Sequence, residues 1–144
     1  MKKLLIWTSI GLLLGGIIGF ALPASAGSMD ETLDNSCKLI NMQLPRPVDE
    51  MTNFNAIFRR GDKVCYVYQF SVPDYDEFYQ TALGKDMLKQ FLKDTKKAQV
   101  IPMAKSDPFM QKVLHAGYTY KFIYLSYAGT KMGEIQIKLS DLVF

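Results

Sequence analysis

Tyr118-Thr119-Tyr120-Lys121-Phe122-Ile123-Tyr124-Leu125-Ser126-Tyr127, with the turn-forming Ala128-Gly129-Thr130-Lys131 and the run 132–139 after it, decides the fold class. In the first run Tyr118, Tyr120, Phe122 and Tyr124 share one parity, and Thr119, Lys121, Ile123 and Leu125 share the other. In the second, Ile135, Ile137 and Leu139 alternate with Glu134, Gln136 and Lys138. Two runs of period two joined by a glycine-bearing turn predict a hairpin with one wet face and one buried face.

Working towards the N-terminus, residues 52–58 and 64–70 predict a second strand pair. Val64, Tyr66, Tyr68 and Phe70 fall on one face of the latter, and Cys65, Val67 and Gln69 on the other. Arg59-Arg60-Gly61-Asp62 supplies the turn, its glycine free to take positive φ. Ahead of these strands, Ser28-Met29-Asp30-Glu31 has capping-box form and predicts a helix over 29–42, with Leu33, Cys37 and Ile40 on one face. Leu44-Pro45-Arg46-Pro47 ends it, because proline cannot donate to a helix and restricts the residue before it.

Between the strand pairs, Asp74 and Glu77 have capping-box spacing, and Asp76 adds charge that suits a helix N-terminus. The helix they open carries Phe78, Ala82, Leu88, Phe91, Leu92 and Thr95 on an apolar stripe disturbed near Gly84, with Lys93, Lys96 and Lys97 in its last turns. Asp107-Pro108 predicts a short further helix, closed by Gly117. The order α-β-β-α-α-β-β predicts the α+β class: an antiparallel sheet of about four strands with helices packed on one face.

Ahead of this domain, residues 1–26 read as a secretory signal. Lys2 and Lys3 give a positive start, an apolar run follows from Leu4 to Leu22, Pro23 breaks it, and Ala24-Ser25-Ala26 supplies small residues for cleavage before Gly27. The run approaches the ~20 residues of a spanning helix, so an uncleaved anchor is the competing reading. Gly11, Gly15, Gly16 and Gly19 and the immediate small-residue site favour cleavage. The remaining 27–144 is then one α+β domain in the periplasm or medium. Cleavage takes two lysines and leaves fifteen basic residues against fourteen acidic ones. Such a balance implies no nucleic-acid partner. In an oxidising compartment, Cys37 and Cys65 are expected to join. That bridge would constrain the unfolded chain by roughly 3–4 kcal/mol.

Standard catalytic sets are sparse. His115 is the single histidine, placed late in a helix where a partly charged imidazole suits the carbonyl end. There is no G-x-S-x-G elbow, glycine-rich phosphate loop or Walker lysine. Asp74, Asp76 and Glu77 could in principle form a cation site or acid/base pair, but capping explains all three without a further function; Asp49 and Glu50 follow two prolines in a loop. No cofactor is implied. The tyrosines are more suggestive. Tyr66, Tyr68, Tyr118, Tyr120 and Tyr124 hold same-parity positions on two expected strands, so they form either one exposed aromatic binding face or a cross-strand core beneath helices. Lys121 and Arg59-Arg60 would rim such a face.

Cys37-Lys38-Leu39-Ile40, Leu44-Pro45, Val48-Asp49-Glu50-Met51-Thr52, Tyr66-Val67-Tyr68 and Gly117-Tyr118-Thr119-Tyr120 with Ile135-Gln136-Ile137 resemble small exported bacterial proteins of unassigned function. Proteins of that look often carry another cysteine pair in the second half, which this chain lacks; the resemblance brings no catalytic residue. The expected function is a non-enzymatic periplasmic or secreted binding protein, of the inhibitor or immunity type or an accessory of envelope machinery. Its partner would be another protein of the cell envelope, with membrane contact only if residues 1–26 are retained. A small envelope hydrolase using Asp or Glu is the alternative.

Overall fold

The computed structural model describes residues 28–142, so the expected signal segment and its cleavage point lie outside the described residues. Helix α1 (Met29–Asn41) begins with Ser28 as its N-cap, the hydroxyl half of the expected capping box, accepting the Glu31 N–H at 3.2 Å. Five strands follow in the sheet order β1 (Arg46–Asp49), β2 (Thr52–Arg60), β3 (Lys63–Phe70), β4 (Thr119–Leu125) and β5 (Lys131–Ile137). Between β3 and β4 run α2 (Asp74–Gln80), α3 (Ala82–Thr95), a π-helical turn over Lys96–Val100, α4 (Ile101–Ser106) and α5 (Pro108–His115). A 3-10 turn at Leu139–Asp141 closes the described chain.

The expected class holds, and two features of the sheet are corrected. It has five strands, because Arg46-Pro47-Val48-Asp49 does more than end a helix: it pairs antiparallel with β2 at the sheet edge. An edge is where a residue without an N–H is tolerated in a sheet. The sheet is also mixed rather than antiparallel, since β3 and β4 run parallel with Lys63 beside Thr119. The helical connection from 71 to 118 returns the chain to the end at which β3 began, where the Thr119 N–H donates to the Asp62 carbonyl at 2.8 Å. A crossover of this length permits parallel pairing and a tight turn does not. Alternation marks strands but carries no direction.

A bulge between Phe54 and Ala56 shifts the register of β2 against β3. The extra residue turns Ile57 to the same side as Phe54 and leaves Ala56 and Phe58 on the opposite side. Thr52, Phe54 and Ile57 therefore join Val64, Tyr66, Tyr68, Phe70, Tyr120, Phe122, Tyr124, Ile135 and Ile137 on a face that packs against Leu33, Leu88, Phe91, Val100, Met110 and Leu114 of the helices. Beyond β1 the backbone of β2 would stand open, and Asn41 closes it. Its amide donates to the Ile57 carbonyl at 2.6 Å and accepts the Ile57 N–H at 3.0 Å, in the manner of a neighbouring strand. Arg59 ties the same helix to the β2–β3 turn: Nε and Nη2 donate to the Asp34 carboxylate at 2.9 and 3.0 Å, and Nη1 to the Gly61 carbonyl at 2.7 Å. That contact holds the Asp34 carboxyl below its ordinary range.

Helix α2 differs from expectation at its start. Pro73 takes the N-cap position without a side-chain bond, and Asp74 is the first helical residue, so the expected Asp74–Glu77 capping box does not form. The disturbance expected near Gly84 is a full break. The Thr81 hydroxyl donates to the Phe78 carbonyl, ending α2, and accepts the Gly84 N–H, starting α3. A Cβ on Gly84 would stand 2.0 Å from the Phe78 carbonyl oxygen, so only glycine lets the two helices meet there. Helix α5 follows its reading, with Asp107 accepting the Phe109 and Met110 N–H groups, Pro108 in the first turn, and Gly117 at φ +96°.

Two substitutions test this construction. Gly84→Ala should cost about 1–3 kcal/mol by forced overpacking of backbone, read as a lowered midpoint in thermal or urea unfolding. Asn41→Ala leaves both Ile57 groups without their side-chain partner and should cost about 1–3 kcal/mol, read the same way.

Candidate functional site

Burial resolves the tyrosines. Tyr66, Tyr68, Tyr120 and Tyr124 are all at most 4% exposed and lie beneath the helices. Phe54 stacks on Tyr68 with centroids 5.2 Å apart, Tyr68 on Tyr124 at 5.3 Å, and Tyr66 meets Phe122 at 5.0 Å. Each such pair adds ~0.5–1.5 kcal/mol beyond its buried area. Burial also pushes the phenols of all four above their ordinary range. The exposed aromatic binding face is therefore corrected to the second of the two sequence readings, a cross-strand core. Tyr118 is separate from it: half-buried ahead of β4, its hydroxyl bonds the Asp30 carboxylate on α1.

The expected Cys37–Cys65 bridge is likewise corrected, since both are buried free thiols. Strand parity gives the reason. Val64 and Tyr66 face the helices, so Cys65 between them faces away, beside Phe58 and Lys121, while Cys37 packs into the helical side with Leu33. The sheet stands between the two sulfurs. Burial, then the charge of Asp34, pushes the Cys37 thiol up to about 11, and burial raises Cys65 too. Both stay protonated and are poor nucleophiles.

Among the acids, Asp76 accepts the Tyr127 and Ala128 N–H groups at 2.8 and 3.0 Å, so it clamps the β4–β5 loop. Asp49 accepts the Met51 N–H at 2.7 Å in the link between β1 and β2. Burial raises its carboxyl above the usual range, against hydrogen bonds from Met51 and Thr52. His115 is exposed at the end of α5. Among the described residues, no three metal-ligating side chains converge.

A concave site missed by the sequence reading is a cleft of about 580 Å³ between α3 and the β4–β5 hairpin. Gly133 and Leu92 set its closed end. A Cβ on Gly133 would stand 2.5 Å from Leu92 Cδ1, so the glycine lets α3 press against β5. Its far wall is the hairpin tip, fixed by Asp76, by the Ser126 N–H to Thr130 carbonyl bond at 2.8 Å, and by Gln69, which donates to the Tyr127 carbonyl at 2.9 Å. Leu88, Leu92 and Tyr79 floor the cleft, and Lys85, Lys89 and Lys131 rim it exposed. Its carboxylate, Glu134, is occupied by Lys131, by Gln136 and by Lys121 at 3.6 Å. Burial pushes that carboxyl up, and these partners more than offset it, leaving it below the ordinary range. Lys85 and Lys89 make no ion pair among the described residues. The stripe of Leu88 and Leu92 was visible in the sequence; its lysine rim was hidden because Lys131 reaches it only through the fold.

Fold and cleft together define a one-sided α+β domain, with every described helix on one face of a sheet and a groove along the sheet's free edge. The same fold occurs in EpsS, the pilotin of the Vibrio vulnificus type 2 secretion system, with TM-score 0.55, 10% identity, and coverage of 80% of this chain and 92% of that one. It occurs also in a Pseudomonas aeruginosa protein described as secreted, with TM-score 0.52, 11% identity, and coverage of 83% and 100%. No family model matches the chain, and no curated protein does.

Unfolding the protein as isolated, in denaturant without reductant, should expose two alkylatable thiols, and reductant should leave the unfolding temperature unchanged; a protected pair would contradict the free-thiol geometry. Asp49→Asn keeps the acceptor for Met51 and removes the buried charge. Because the folded carboxyl binds its proton more tightly than the unfolded one, wild-type stability falls as pH rises from the unfolded carboxyl's range through the folded one. The variant should therefore melt higher at neutral pH, with the difference vanishing below about pH 3.

Proposed function

We propose that the chain is a non-enzymatic accessory protein of the bacterial cell envelope, acting in the periplasm or medium by holding a segment of another protein in the cleft between α3 and β5. The observation that carries this reading is the cleft itself: an apolar floor of Leu88, Leu92 and Tyr79 under a rim of exposed lysines. A mostly apolar concavity with a few placed polar groups is the general form of a recognition site, and apolar anchors inside a charged rim suit a peptide more than a reaction. The export signal read at residues 1–26 supports the compartment. The fold shared with a secretion-system pilotin supports an accessory role. The alternative hydrolase draws less support: Asp76 is engaged by loop amides, Glu134 by lysines and Gln136, and Asp49 by Met51 through one carboxylate oxygen.

A photo-crosslinking residue placed at Lys89 in the exported protein should give, in living cells, a discrete adduct with one envelope protein. The same residue at Lys112, exposed on α5 away from the cleft, should give none. Absence of an adduct at 89, or equal adducts at both sites, sinks the proposal.

A further inference from the structure

The two edges of the sheet are treated differently. At one edge β1 is only four residues long and contains Pro47, and past its end the open backbone of β2 is plugged by Asn41. Short strands, prolines and covering groups are the means by which proteins blunt an edge against further pairing. At the other edge β5 runs for seven residues and, among the described residues, pairs only with β4. The π-helical turn lies against part of β5, and α3 touches it at Gly133. Ahead of that contact, residues 131–134 line the cleft. In an edge strand, every second residue directs its N–H and C=O away from the sheet. A groove walled by a helix on one side and an unpaired strand on the other is the geometry in which an added strand is bound.

We infer that the segment held in the cleft is extended and acidic, and that it adds along residues 131–134 as a further strand of the sheet. This rests on the reading of the cleft as a protein-binding site and goes beyond it by fixing the conformation and charge of the occupant. Backbone bonding to β5 supplies attachment that any sequence could use. Side chains alternate across an added strand, so residues of one parity turn towards α3 and meet Leu88 and Leu92. Charge comes from the rim. Lys85 and Lys89 are without ion-pair partners among the described residues, Lys131 is shared with Glu134, and Glu134 is itself satisfied. Acidic side chains flanking the apolar ones complement that surplus, and a basic segment meets like charge.

An acetylated and amidated heptapeptide, Glu-Ser-Val-Ser-Val-Ser-Glu, whose valines and flanking glutamates share the parity that faces α3, probes the exported, isotope-labelled protein. Its amide resonances should shift in β5 and α3. Binding should weaken about tenfold or more for three changes: N-methylation of the peptide backbone at alternate positions, replacement of every glutamate by lysine, and the protein variant K85E/K89E. That variant should in turn bind the lysine peptide better than wild type does, which shows that its cleft is folded. Equal binding of the N-methylated peptide, shifts that avoid β5, preference for an acidic helical peptide of the same composition, or no binding overturns the inference. If an adduct still forms at position 89, the cleft stands as a protein site and only the strand inference fails. Loss of that adduct as well removes the reading on which it rests.

Discussion

One constraint governs this molecule: the aromatic parity of the sheet must be buried, and every described helix is spent burying it. Phe54, Tyr68 and Tyr124 stack across three neighbouring strands, with Tyr66 and Phe122 alongside. Rings of this size dominate a small core, and the opposite parity offers only Ala56, Phe58, Cys65, Val67, Ile123 and Leu125 among polar residues. Hydrophobic burial scales with area, so the helices settle on the aromatic side. Once they do, the identity of every outward residue is decided, since strand parity allows no compromise.

Several features that look independent follow from this one choice. The β2 bulge exists on the same terms, for without the extra residue Ile57 would turn away from the helices and Ala56 would lie beneath them. Cys65 is carried to the far side of the sheet from Cys37, so the two buried thiols remain separate. Tyrosines that would have made a recognition surface become the interior instead. The cleft lies at the margin, where the helical layer ends and β5, among the described residues, pairs with β4 alone.

The margin is built by backbone more than by side chains. Gly84 lets α3 begin against the end of α2, and Gly133 lets the same helix reach β5, each at a place where a Cβ would collide. Asp76 then fixes the opposite wall by gripping two loop amides. A cleft assembled from such close approaches is preformed, so little ordering of this chain is needed for a ligand to bind.

The amino-acid sequence by itself determined the elements: the hairpin from its period of two, α1 from its capping box, α5 from Asp107-Pro108, and the break near Gly84. These are local matters, set by hydrogen-bonding needs and periodicity within a few residues. It also placed Tyr66 and Tyr68, and Tyr120 and Tyr124, on one parity of their strands, which is why a buried cross-strand core stood as one of two readings. Only tertiary structure decided the rest. Direction of β4, pairing of β1, the separation of the cysteines and the meeting of Lys85, Lys89 and Lys131 all depend on contacts between residues distant in the chain. Alternation is identical for parallel and antiparallel strands and for a face turned inward or outward, so those choices are made by the packing of whole layers.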